Sequence, residues 1–130
     1  MNNPKGTDMN CAKQLTRQVV APDEAKNPIG DIFGGWLLSH MDIAGGQRAY
    51  DVADGRAVTV AVDKMTFKKP LYAGDHLKIY TDVASIGHTS VSIHVIVEVE
   101  REGENVEVAD GIFPFVAINK DKRPRPIYEE

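Results

Sequence analysis

Cysteine is nearly absent from this 130-residue chain, and several other features that mark specialised classes of protein are missing. The single cysteine, Cys11, excludes an internal disulfide, and the first residues lack the apolar core of a secretory signal. No run approaches the roughly 20 apolar residues that span a bilayer, so we expect no membrane insertion. Together these absences predict a protein of the reducing cytoplasm.

The chain also has fewer basic than acidic residues, and its histidines lack the spacing of a metal site. The formal net charge is −4, and nucleic-acid affinity depends on clustered Lys and Arg, so we expect no nucleic-acid partner. The four histidines include no pair at a metal-ligand spacing, and we expect neither a metal nor a cofactor. His94 alternates out of phase with its apolar neighbours, which predicts an exposed strand histidine.

The length of the chain fits one domain. Residues 1–12 are polar and contain Pro, Gly and Asn, so we predict a flexible tail there, followed by a single domain over residues 13–130. We find no internal repeat and no low-complexity segment. A domain this small that builds an extended sheet would need a partner to cover an exposed face or edge.

The hydrophobic periodicity predicts one strand, one helix and then four strands. The first strand is "KQLTRQVV", and the helix runs from Gly34 to about Tyr50. Period-two alternation marks "AVTVAVDKMTF", with a change of phase that indicates a bulge near Asp63 or Lys64. "HLKIYTDV" and "SVSIHVIVEVE" are two neighbouring strands, and a last strand runs from Val106 to Ile118. Short connections favour an antiparallel meander of the four later strands, and Pro114 predicts an edge position or a bulge in the last one.

The predicted helix is unusual because its apolar stripe contains glycines and an acid. Asp42 lies at the edge of the stripe formed by Leu38, Met41, Gly45 and Ala49. Each helical glycine costs roughly 1 kcal/mol against Ala, which favours a close approach by another backbone or a ligand. The alternative is that the glycines only allow tight packing while Asp42 reaches solvent.

Four stretches of the chain resemble the hotdog-fold acyl-coenzyme A thioesterases, most closely the YciA-type subfamily. These stretches are "NPIGDIFGGWLLSHMD", "VTVAVDKMTFKKPLYAGD", "GHTSVSIHVIVEVE" and "FPFVAINKDKRPRPI". The resemblance implies an α+β hotdog fold, in which one long helix packs against a five-stranded antiparallel sheet. It also implies a homo-oligomer, at least a dimer, and leaves a tetramer or a hexamer open.

The same resemblance implies a catalytic site that two subunits share. Asp42 matches the catalytic acid of the family, as general base or nucleophile, and Asn27 matches its loop asparagine. A backbone N–H of Gly34 or Gly35, at the positive end of the helix dipole, would receive the developing oxyanion.

Coenzyme A contacts are implied at a strand turn and at basic residues. The turn contributes Gly87, His88, Thr89 and Ser90, and the phosphates would meet Lys68, Lys69, Arg123 and Arg125. The alternatives are an ordinary strand connection and a solvated basic tail.

The sequence therefore predicts a hydrolase of acyl-coenzyme A thioesters, with two competing functions. A hotdog dehydratase would use a loop histidine, and residues 22–33 contain none. A non-enzymatic module that binds or senses acyl-coenzyme A could use the same cleft, and release of thiol from acyl thioesters separates it from the hydrolase.

Overall fold

One long helix packs against an antiparallel sheet in this computed structural model, which describes residues 11–128. The elements in chain order are β1 (Gln14–Val20), a 3-10 turn (Asp23–Ala25), α1 (Gly34–Ala53), β2 (Ala57–Thr59), β3 (Asp63–Phe67), β4 (His76–Ile86), β5 (Ser90–Arg101) and β6 (Glu104–Ala117). Within the described range, no helix combines the length and the apolar character needed to cross a membrane.

The strands form one sheet in the order β1-β4-β5-β6-β2, with β3 also paired to β6. β2 and β3 lie end to end along β6, so the sheet is five strands wide, as predicted. The predicted four-strand meander is wrong at its start, because β2 and β3 pair with β6 and not with β4. The connection over residues 68–75 carries the chain across the sheet, and it is anchored by the buried Leu71, whose carbonyl accepts from Ile32 N–H at 2.8 Å.

The junction between β2 and β3 confirms the predicted bulge and accounts for Pro114. The register on β6 shifts between Asp63 and Thr66, and Lys64 has a φ of +53°. Val60 N–H donates to Pro114 O at 3.0 Å. Because the N–H and C=O of one residue face the same neighbour in an antiparallel ladder, the N–H that Pro114 lacks would face this junction. The prediction of an edge position is wrong, since β6 is interior, and the irregularity lies in the neighbouring strand.

The core lies between α1 and the alternate residues of β5 and β6. Five β5 side chains that face the helix are at most 1% exposed, namely Val91, Ile93, Val95, Val97 and Val99. A Cβ added to Gly45 would lie 3.2 Å from the Phe115 ring, closer than an ordinary contact. Gly45 therefore permits the helix to pack closely on the sheet, which is the alternative stated above for the helical glycines and not the approach of a ligand or another backbone.

Candidate active site

The carboxylate of Asp42 is anchored by a threonine on the neighbouring strand. Thr59, the last residue of β2, donates its hydroxyl to Oδ1 of Asp42 at 2.7 Å. Asp42 is half-buried, and its second oxygen has no hydrogen-bond partner within residues 11–128. One carboxylate oxygen is thus fixed while the other remains available for chemistry.

Sequence reasoning missed Thr59, although the strand pattern contained a signal. Thr59 is out of phase with Val58 and Val60, so it points to the opposite face of β2. That face is the one toward which α1 packs. A hydroxyl placed there is a candidate partner for a polar side chain on the helix.

Asn27 lies in the loop before α1, where its side chain organises the backbone. Its Oδ1 accepts hydrogen bonds from the N–H groups of Ile29 at 3.0 Å and Asp31 at 3.1 Å. Its own N–H donates to Asp31 O at 2.6 Å, which closes the loop. The side-chain amide nitrogen has no partner in the described part of the chain. The amide is therefore held by its oxygen, with both N–H donors free.

The start of α1 presents two free backbone donors beside aromatic rings. Gly34 and Gly35 are its first two residues, and neither N–H donates to a backbone carbonyl among residues 11–128. A Cβ on Gly34 would lie 3.4 Å from the ring of Phe67, and one on Gly35 would lie 3.4 Å from the ring of Phe33. The positive end of the helix dipole is accessible here to a negatively charged oxygen.

A cavity of about 190 Å³ brings several of these groups together, but not Asp42. Asn27, Gly34 and Lys69 line it with an apolar wall that includes Leu37, Phe67 and Leu71. Within one subunit, the predicted asparagine and the helix start therefore share a pocket that the predicted acid does not line.

The family model of the thioesterase superfamily matches residues 29–106 of this chain, which include the helix and the strands that carry the site. The chain belongs to the thioesterase superfamily. Its relatives include the acyl-CoA thioester hydrolase YciA of Salmonella typhimurium, which is 37% identical over 97% of this chain and 93% of its own length.

Solved structures of similar sequence agree with the fold of this superfamily member. The hexameric thioesterase of Yersinia pestis is 38% identical, with a TM-score of 0.85 over 90% of this chain and 97% of that one. The hexameric hotdog fold thioesterase of Campylobacter jejuni is 34% identical, with a TM-score of 0.81 over 88% of this chain and 90% of that one. The predicted hotdog fold is confirmed.

The β4–β5 turn of this thioesterase-superfamily chain is fixed by backbone hydrogen bonds. Gly87 N–H donates to Ser90 O at 2.7 Å, and a Cβ on Gly87 would lie 2.8 Å from Oγ of Ser90. The carbonyl of Thr89 accepts from Ala117 N–H at 2.8 Å, and that of His88 accepts from Ile127 N–H at 2.9 Å. The backbone of the turn is therefore hydrogen-bonded both within itself and to neighbouring segments, and its contacts with coenzyme A stay a prediction.

The four predicted phosphate ligands fall into two groups, according to whether the side chain has a partner in the protein. Lys69 and Arg123 are exposed, with no side-chain partner within residues 11–128. Lys68 pairs with Glu107 and lies 3.9 Å from Asp110, and the hydrogen bond to Glu107 raises the pKa of Lys68. Arg125 donates to three backbone carbonyls. Lys68 and Arg125 thus have protein partners that would compete with a phosphate.

His94 is more enclosed than predicted. Its ring nitrogens lie 3.3 Å from Oδ2 of Asp82 and 3.1 Å from Oδ2 of Asp110, and its side chain is 29% exposed. The prediction of an exposed histidine is wrong because the two carboxylates come from β4 and β6, on either side of β5. Strand phase gives the face of a residue but not its neighbours across the sheet.

Proposed function

We propose that this protein hydrolyses acyl-coenzyme A thioesters to a carboxylic acid and free coenzyme A. The observation that carries the proposal is the half-fixed carboxylate of Asp42, with one oxygen held by Thr59 and the other free. The free N–H groups of Gly34 and Gly35 and the free amide of Asn27 supply the remaining groups that such a reaction needs. Membership of the thioesterase superfamily and the names of the relatives support this choice of substrate.

The site residues have complementary roles in this reaction. The thioester oxygen accepts from Gly34 or Gly35 N–H, which stabilises the negative charge that develops as the carbonyl is attacked. The free oxygen of Asp42 either takes a proton from the attacking water or attacks the carbonyl carbon itself. In both routes water finally supplies the oxygen of the new acid, the C–S bond breaks, and the thiolate of coenzyme A takes a proton. Asn27 orients the carbonyl or the water through its amide N–H groups.

We propose further that two subunits complete each site. Asp42 does not line the cavity that contains Asn27, so the acid of one subunit would meet the asparagine of another. The outer edge formed by β2, β3 and the residues between them leaves four apolar side chains 41–55% exposed, namely Val58, Val60, Val62 and Phe67. Such an edge favours pairing of the sheets of two subunits, and the similar thioesterases of Yersinia and Campylobacter are hexameric.

The coenzyme would lie between the β4–β5 turn and the exposed cations. Gly87, His88, Thr89 and Ser90 offer backbone and hydroxyl groups, and Lys69 and Arg123 offer free charges to the phosphates. A cytoplasmic location belongs to this proposal, because a chain with one cysteine needs no oxidising compartment.

Replacement of Asp42 tests the reaction directly. Asp42→Asn keeps the shape and removes the charge, so the fold should survive while kcat falls at least ~100-fold with a much smaller change in KM. Release of thiol from short and medium acyl-coenzyme A substrates, followed with a thiol reagent, measures both constants. Asp51→Asn is the matched control, because Asp51 is an exposed acid on the same helix.

Two results would contradict the proposal. Near wild-type turnover by Asp42→Asn would make Asp42 an ordinary acid at the edge of a helix. A wild-type protein that binds acyl-coenzyme A without releasing thiol would be a binding or sensing module.

A further inference from the structure

The last described residues fold back over the end of α1 and the β4–β5 turn. We name residues 119–128 the C-terminal segment. Asn119 turns the chain, because its side-chain oxygen accepts from the N–H groups of Asp121 at 2.8 Å and Arg123 at 3.1 Å. The returning chain then places Ile127 in the core at 5% exposure, where its N–H donates to His88 O at 2.9 Å. The C-terminal segment thus contacts the turn that the proposed function assigns to coenzyme A.

Arg125 fixes this segment with its guanidinium group. Nη2 donates to Ala53 O at 2.8 Å, Nε donates to Ile118 O at 3.1 Å, and Nη1 donates to Pro126 O at 3.3 Å. Its backbone N–H also donates to Ala117 O at 3.0 Å.

The contact between Arg125 and Ala53 lies at the C-terminal end of α1. Ala53 is the last residue of α1, where carbonyls lack helical partners and the helix dipole is negative. Arg125 is thus the cationic cap of the helix.

Gly55 provides the space that this cap requires. A Cβ on Gly55 would lie 2.8 Å from Nη2 of Arg125, and its φ of +151° also suits glycine. The guanidinium group is therefore held by three carbonyl oxygens and packs closely against Gly55.

We infer that Arg125 is a positioning residue that holds the coenzyme A turn through Ile127 and does not bind a phosphate itself. This inference rests on the proposed function, because it assumes that residues 87–90 bind the coenzyme. Its connection is continuous: Arg125 ties the C-terminal segment to α1, and Ile127 ties that segment to the carbonyl of His88. Loss of the cap should loosen the turn without touching the reacting carbonyl.

The lysine variant separates positioning from phosphate binding. A lysine keeps the charge but lacks the planar fork of donors that reaches several carbonyls at once. Arg125→Ala and Arg125→Lys should therefore both raise KM for an acyl-coenzyme A by roughly 5- to 10-fold, a usual size for coupling between sites, with kcat nearly unchanged. This increase should persist at high salt, because it does not arise from an exposed charge pair.

Arg123 is the matched control, since it lies two residues away with an exposed side chain that makes no hydrogen bond within the described residues. Arg123→Ala should raise KM mainly at low salt, and Arg123→Lys should retain most of the wild-type affinity. The two arginines would then differ both in their salt dependence and in the result of the lysine substitution.

Hydrogen exchange of the wild-type protein provides a test that needs no variant. Coupling between two sites is reciprocal, so saturating free coenzyme A should slow exchange of the Ile127 amide. Unchanged exchange there would overturn the inference. So would recovery of the wild-type KM in Arg125→Lys together with loss of the Arg125→Ala effect at high salt, because that pair of results identifies a phosphate ligand.

Failure of this inference can be told apart from failure of the proposed function. If the wild-type protein releases thiol and Asp42→Asn does not, the proposed function stands whatever the Arg125 variants do. If the wild-type protein releases no thiol, the proposed function is overturned and this inference with it.

Discussion

The hydroxyl of Thr59 governs how the carboxylate of Asp42 can be used. A free carboxylate at the edge of a helix rotates about its terminal bond, whereas the 2.7 Å hydrogen bond to Oδ1 restricts that rotation. The second oxygen is then restricted in direction as well. Orientation of this kind lowers the entropic part of a reaction barrier.

Removal of this hydroxyl should reduce turnover more than binding. Thr59→Val preserves shape and leaves Asp42 without its donor, so we expect kcat to fall roughly 10- to 100-fold, the usual effect of a hydrogen bond to a charged group. Thr59→Ser should restore most of this loss. Steady-state kinetics of thiol release measures both variants, with Thr66→Val as control, because in the described part of the chain Thr66 donates only to Lys64 O. An unchanged kcat in Thr59→Val would limit Thr59 to strand packing.

The sequence could not predict the contacts of residues whose hydrogen-bond partners lie far along the chain. Asp42 and Asn27 stand within one long motif, and their types and spacing carry the resemblance. Arg125 was predicted to be a phosphate ligand because its sequence neighbours are basic, and nothing in the sequence indicated that one of its three carbonyl acceptors, Ala53 O, lies 72 residues away. Pairing at such distances is settled by the fold, which local composition does not report.

At the scale of elements, β1 is tied to α1 by a neutral histidine. Nε of Arg17 donates to Nδ1 of His40 at 3.2 Å, and the His40 ring packs 4.4 Å from that of Trp36. An acceptor nitrogen requires the unprotonated ring. Burial and then the charge of Arg17 lower the pKa of His40 below its usual value of about 6.5.

This lowered pKa makes the stability of the protein depend on pH. Above about pH 6.5 the ring is neutral in both the folded and the unfolded chain. The contacts of neutral His40 therefore make their full contribution to the free energy of unfolding there. Below that value the unfolded chain binds the proton first, so stability should fall as the pH drops toward the lowered pKa of the folded state. Thermal unfolding of wild type and His40→Gln between pH 7.5 and pH 5 would measure this, and the variant should show a flatter profile.

His76 offers the control for that experiment. It is exposed on β4, and His76→Gln should leave the pH profile of the wild type unchanged. If the pH profile flattened equally in both variants, the pH dependence of stability could not be attributed to His40.

The elements themselves could be predicted better than their arrangement. The hydrophobic periodicity predicted α1 and all the long strands, and the phase change at Asp63 or Lys64 predicted the bulge. The order of the strands was mistaken because a short connection suggests adjacent pairing, whereas the buried Leu71 leads the connection from β3 across the sheet to β4. Topology depends on where such an anchor is buried, and a periodicity does not contain that information.

For the whole molecule, a site shared between subunits has a direct genetic test. Asp42→Asn and Asn27→Ala should each be inactive as pure assemblies, because every site lacks one group. In a mixed dimer, one site carries both substitutions and the other carries neither. Exchange of subunits should therefore restore part of the thiol-release activity.

The complementation experiment requires proof of exchange. Differently tagged subunits recovered in one assembly would supply it, and wild-type protein carried through the same exchange sets the maximum activity. If both pure variants are inactive, verified mixed assemblies without activity would show that Asp42 and Asn27 act within one subunit.

The interruption between β2 and β3 also bears on how the protein avoids fibrils. A long, flat, valine-rich edge would be a template for indefinite strand addition by other chains. Here residues 60–62 and the register shift after Asp63 divide that edge into stretches of three and five residues. A misaligned strand could therefore form only a short ladder on either side, whereas a partner shaped to the bend could use both. The irregularity beside Pro114 would thus separate productive assembly from uncontrolled polymerisation.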